Sequence, residues 1–125
     1  MEAQIGRITQ QQELYPPQII KAIRDDLGLL AFKTKEFEGF VVKKAEAEMV
    51  YSIELAKQIL RNKSEHPATL LLKIVGGMRE VAQLKFKLDV ADGVMRACNE
   101  SIRNLRTSVD AGRSILSQKK EEMKG

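Results

Sequence analysis

The sequence predicts an all-α fold: an elongated antiparallel helical hairpin with a long C-terminal coiled-coil-like helix, assembled as an oligomer. Three observations predict it. From Val81 to Leu116 a small or apolar residue recurs every three or four positions without a break (Val81, Leu84, Leu88, Ala91, Met95, Cys98, Ile102, Leu105, Val109, Gly112, Leu116), which is a heptad seam. The 125-residue chain is 43% hydrophobic and 30% charged but only 5% aromatic, with no Trp, so its core is built from aliphatic side chains that suit helix-on-helix packing. Strong breakers are confined to a few points, with runs of helical periodicity between them.

Taken in order, residues 1–14 form a polar, Gln-rich N-terminal arm, and 15–125 form a single helical domain. Tyr15-Pro16-Pro17 closes the arm, and a proline is suited to a first helical turn. Ile19, Ile20, Ile23, Leu27 and Leu30 then set a helix over about 17–30. A second helix is expected over about 34–62, with Phe37, Val41 or Val42, Ala45, Met49, Ile53, Ala56, Ile59 and Leu60 as its buried stripe. Asn62 to Pro67 is a break in which Ser64 can cap, and Gly76-Gly77 ends a short helix over about 67–75. That short piece, Leu70 to Val75, is apolar nearly all round and must be covered. The long helix occupies about 78–122.

At 1.5 Å per residue the long helix measures roughly 65 Å and the helix at 34–62 roughly 45 Å. The long helix therefore outruns its partner, leaving Ile102, Leu105, Val109, Ile115 and Leu116 to be covered. The N-terminal helix can fold back over them, or a second chain can. The small side chains at Ala91, Cys98 and Gly112 favour a second chain. On this reading Leu84, Leu88, Met95, Cys98, Ile102, Leu105, Val109 and Leu116 form the oligomer interface.

No reaction chemistry is visible. The one histidine, His66, has no neighbouring ligand and reads as a turn residue. Adjacent acids at Asp25-Asp26 and Glu121-Glu122 point in different directions on a helix. Gly76-Gly77 lacks the Lys-Ser/Thr of a phosphate loop. The lone Cys98 lies on the seam, as a buried small hydrophobe does. The reading assigns no catalytic residue, no metal ligand and no cofactor, and the protein is expected not to be an enzyme. No apolar run approaches the ~20 residues of a membrane span, and no secretory signal is seen, so a cytoplasmic location is expected.

The basic residues carry more information. Net charge is +4. With the seam at a and d, Arg96 and Arg103 fall at b, and Arg106, Arg113 and Lys120 fall at e, which makes a stripe along one flank of the long helix. Arginine is suited to bidentate phosphate contacts. The same stripe can equally be a ladder paired with Glu36, Glu38, Glu46, Glu48 and Glu54 of the second helix. A second basic group, Lys43, Lys44, Lys57, Arg61 and Lys63, lies on that helix and just beyond its end, where the helix dipole favours bases in any case. Tyr51 is the one aromatic there able to stack on a base, and it also suits a half-buried core position.

The stretches Lys44-Ala-Glu-Ala-Glu-Met-Val-Tyr51-Ser-Ile-Glu-Leu-Ala56 and Val81 to Arg106, followed by Ser114-Ile-Leu-Ser-Gln-Lys-Lys-Glu, resemble small all-helical proteins of phage recombination and replication regions. Their order resembles the UvsY-type recombination mediators. The resemblance covers about residues 40–122 and is one of pattern more than identity. It implies a homo-oligomer that binds single-stranded DNA and helps load a recombinase onto strands covered by single-strand-binding protein, in the host cell cytoplasm. The mediators' basic first helix would correspond to Lys43, Lys44, Lys57, Arg61 and Lys63. Two further readings stand beside it: a protein-binding phage adaptor or inhibitor of a host or defence protein, and a structural coiled-coil element of a virion.

Overall fold

A computed structural model describes residues 16–124, so the N-terminal arm lies outside the described residues. The described chain is all α-helical, with three helices: α1 (Pro16–Asn62), α2 (Ala68–Gly76) and α3 (Arg79–Lys124). Its contacts divide it into two compact units. The first joins the beginning of α1, up to Phe37, to the part of α3 from Ala97 onward; the second comprises Glu38–Arg96.

Where two helices and a gap at 31–33 were expected, α1 is one helix of 47 residues. The gap contains no proline and no capping group. Thr34, the expected start, instead donates its hydroxyl to the Leu30 carbonyl at 2.8 Å, a bond made within a continuing helix. Gly28 and Gly39 have no positive φ. A glycine inside a helix costs about 1 kcal/mol relative to alanine, which packing elsewhere along α1 offsets.

In the first unit the two helical segments run antiparallel. Ile19 and Ile23 form a buried cluster with Val109, and Ile115 and Leu116 pack against it. Cys98 Sγ donates to the Lys33 carbonyl at 3.5 Å. The apolar C-terminal part of α3 is therefore covered by the chain's own N-terminal segment. This corrects the expected overhang, because the 47-residue α1 is as long as the 46-residue α3. The residues assigned to an oligomer seam are internal: Leu88, Cys98, Ile102, Leu105 and Val109 are buried within one chain, and Leu84, Met95 and Leu116 are half-buried.

The same unit buries a polar pair. Ser108 Oγ donates to Asp26 Oδ2 at 2.7 Å, and both residues are fully buried. Removing that donor leaves a buried carboxylate oxygen without this bond, a loss of about 1–3 kcal/mol. Ser108→Ala should therefore lower the unfolding free energy by about that amount in urea titrations, although it deletes only one hydroxyl.

The second unit also pairs its α1 and α3 segments antiparallel. Lys44 Nζ lies 3.2 Å from Asp92 Oδ1, Lys85 Nζ lies 5.7 Å from the centre of the Tyr51 ring, and Asn62 Nδ2 lies 3.9 Å from Met78 Sδ. The face of α1 turned inward here is Phe40, Lys44, Ala47, Tyr51, Glu54 and Gln58. Most of the stripe expected to be buried points outward: Val42, Met49, Ile53 and Leu60 are 55%, 57%, 62% and 70% exposed, while its members Phe37 and Ile59 are half-buried. The inward face carries three polar side chains that find partners. Lys44 reaches Asp92, and buried Gln58 donates to Glu54 Oε1 at 2.8 Å. A reading by apolarity alone selects the other face.

Between α1 and α3, α2 is preceded by Pro67, whose carbonyl accepts from the Leu70 and Leu71 amides. No side chain caps it, so the expected Ser64 cap is not formed. Gly77 ends α2 in the right-handed region, its amide bonding the Lys73 and Ile74 carbonyls. Val75 is completely buried, and Leu71 and Ile74 are half-buried. Leu70 and Leu72 stay exposed, so this segment is covered on one face only.

Candidate nucleic-acid interface

The basic residues singled out in the sequence divide between the two units. Lys43, Lys44, Lys57, Arg61, Lys63 and Arg96 belong to the second; Arg103, Arg106, Arg113 and Lys120 belong to the first.

In the second unit, α1 and α3 leave an open groove along one side. One stretch is lined by Phe40, Lys43, Phe86, Val90, Ala91 and Val94. Adjoining stretches bring in Ala47, Val50 and Leu84, then Lys57, Arg61, Glu54 and Glu80. Lys87 borders every stretch. Lys43 and Lys57 stand two heptads (about four helical turns) apart, and Arg61 follows Lys57 by one turn, so all three lie on the flank of α1 that faces this groove. Lys43 Nζ sits 5.7 Å from the centre of the Phe40 ring, within cation–π range. Phe86 is 69% exposed beside Lys87, an aromatic face left to solvent in a basic setting. Glu46, Glu54 and Glu80 temper the positive field.

Lys44 is not part of this surface. It bridges to Asp92, whose second oxygen accepts from Arg96 Nε at 2.8 Å. The heptad position that makes Lys44 a neighbour of α3 sets its charge against a carboxylate there, apart from the groove cations. Arg96 makes that one bond and remains 77% exposed. Lys63 lies exposed in the turn after α1. Tyr51 is half-buried beneath Lys85, whose ammonium is held above the usual lysine range chiefly by its hydrogen bond to Asp89. Tyr51 therefore offers no free ring.

In the first unit Arg103, Arg106, Arg113 and Lys120 are all exposed. The ladder to the acids of α1 is not formed among the described residues: Glu36 pairs with Lys33, and Glu54 accepts from Gln58. None of the described ion pairs involves Arg103, Arg106, Arg113 or Lys120.

Sequence reasoning missed Phe86, Lys87 and Val90. Their signal was present: Phe86, Val90 and Val94 recur every four residues, one flank away from the seam. A groove between two helices needs such a flank, but the pattern alone does not say which partner lies beside it.

Among the described residues no helix is long and apolar enough to cross a membrane, and no three His, Cys, Asp or Glu side chains gather to hold a metal ion. Comparisons with protein-family models, curated proteins and solved structures find no match to this chain.

Proposed function

We propose that this chain is a non-enzymatic, oligomeric helical protein that binds single-stranded DNA through its phosphate backbone, in the manner of a recombination mediator that works with a recombinase and a single-strand-binding protein. The observation that supports the reading most is the open groove in which Lys43 and Lys87 line one stretch with the exposed ring of Phe86, and Lys57 and Arg61 line the adjoining stretch with Lys87. A basic groove with an exposed aromatic ring is the usual combination for single strands, since phosphates need cations and unpaired bases need a surface to stack on. Arg103, Arg106 and Arg113 supply further guanidinium groups for phosphate.

Titration of a labelled oligonucleotide at 50 and 200 mM salt tests this reading. Affinity should fall steeply with salt, with a slope near −0.7 for each phosphate neutralised. Absence of binding at the lower salt removes the proposal. Phe86→Ala should weaken single-strand binding by roughly five- to a hundred-fold, in line with about 1–3 kcal/mol for one stacked base. Binding to a duplex of the same sequence should change little, because duplex bases are not available to stack.

A second reading, an adaptor or inhibitor that binds a protein of the host or of its defences, is favoured by the apolar side chains of Leu70 and Leu72 left exposed on α2. Recovery of one stoichiometric protein from nuclease-treated lysate, abolished by Leu72→Glu, is the result that would support it over DNA binding.

A further inference from the structure

We infer that the outer stripe of α1 in the second unit is a twofold interface with a second copy of this chain, the two α1 segments lying antiparallel. This rests on the oligomeric part of the reading above, and the contact shares only Glu46 and Lys57 with the rim of the proposed DNA groove. Val42, Met49, Ile53 and Leu60 stand 55–70% exposed on one face of a regular helix, opposite the face that packs on α3. Four large apolar side chains in one line are more than the scattered surface leucine that needs no explanation.

The order of the residues on this stripe identifies the occupant. Their spacing of seven, four and seven reads the same in both directions. An antiparallel copy therefore sets Val42 against Leu60 and Met49 against Ile53, and the twofold axis repeats each pair. Such self-complementarity is what an isologous contact requires. The positions between them agree. Glu46 completes the stripe between Val42 and Met49, and Ala56 does so between Ile53 and Leu60. Antiparallel pairing places Glu46 against Ala56 of the second copy and next to its Lys57, on the same side of the interface. Opposite charges then meet at both ends of the contact. A parallel, in-register pair would instead set Glu46 against Glu46, a like-charge repulsion in an apolar seam. On the other flank Ala45 and Ser52 are small and allow close approach of the helices. The contact runs from Val42 to Leu60, roughly 27 Å or five helical turns, without using the seam between α1 and α3.

Cysteine cross-linking on the full chain tests the inference, with light scattering as the second readout. Val42→Cys and Leu60→Cys are made separately; the native Cys98 is buried, and the unsubstituted chain serves as its control. Under mild oxidation the mixture of the two variants should give a covalent dimer in at least tenfold higher yield than either variant alone. Efficient self-cross-linking of Val42→Cys, which brings together positions roughly 27 Å apart in the antiparallel pair, overturns the inferred orientation. A monomeric mass for the unsubstituted chain, or a Met49→Glu/Ile53→Glu variant that keeps both its helicity and its full oligomeric mass, overturns the interface. The double variant should halve the mass while retaining its circular dichroism, since both positions are exposed in the single chain. It should also retain DNA binding per chain at low salt, so that loss of the dimer and loss of the DNA site are read separately.

Discussion

Replacing Leu105 by alanine should lower the unfolding free energy by about 2–5 kcal/mol, the range for a large-to-small change in a packed core. The same substitution at Leu60 should change it by less than about 0.5 kcal/mol. Leu105 is 1% exposed and Leu60 is 70% exposed, so one substitution leaves a cavity and the other only trims a solvated side chain. Urea titration of both variants, at a concentration low enough to leave the chain monomeric, measures the difference. Equal losses at the two sites would mean that the outer stripe is part of the folding core. The experiment matters because the sequence gives both leucines the same standing, as members of helical apolar stripes.

The second large effect concerns charge. Changing Lys43, Lys57, Arg61 and Lys87 together to glutamine removes the cations from the groove of the second unit. If each neutralises one phosphate, affinity for a single strand at about 100 mM salt should fall roughly 10²–10³-fold, and the salt slope should shrink by about 3. The helices should survive, because these side chains are exposed and lie outside the buried faces. The matching set Arg103→Gln, Arg106→Gln and Arg113→Gln measures the share carried by the first unit, with a predicted slope change of about 2. Lys44→Gln is the internal control. Its ammonium faces Asp92, so affinity should change by less than about twofold, the scale of a lost long-range charge under salt screening. A slope that moves with Lys44 and not with the groove set would reassign the contact.

The seam of α3 was legible because it is apolar where it is buried. Val81, Leu88, Cys98, Ile102, Leu105 and Val109 recur at helical spacing and are all buried, so periodicity and burial agree. They agree at Ile19 and Ile23 of α1 as well, but further along α1 they disagree. Its inward face carries Asp26, Lys33, Lys44, Glu54 and Gln58, while its outward face carries Val42, Met49, Ile53 and Leu60, and a hydrophobic pattern selects the second. Among the expected DNA ligands, Lys43, Lys57 and Arg61 fall on one groove, but Phe86 and Lys87 come from α3, and their proximity depends on how the two helices are paired.

By itself the sequence determined the all-α class, the turn at Asn62–Pro67, the stop at Gly76-Gly77 and the buried line of α3, because each depends on local backbone preference or on a single helix's period. Only the tertiary structure decided that α1 continues through residues 31–33, that the chain's own N-terminal segment covers the end of α3, and that in the second unit the face of α1 bearing Lys44, Glu54 and Gln58 is the packed one. Those outcomes depend on partners distant in sequence. Asp26 can be buried because Ser108 donates to it, and Lys44 can face α3 because Asp92 meets its charge. A polar side chain becomes a core residue only where another element supplies its hydrogen bond or counter-charge.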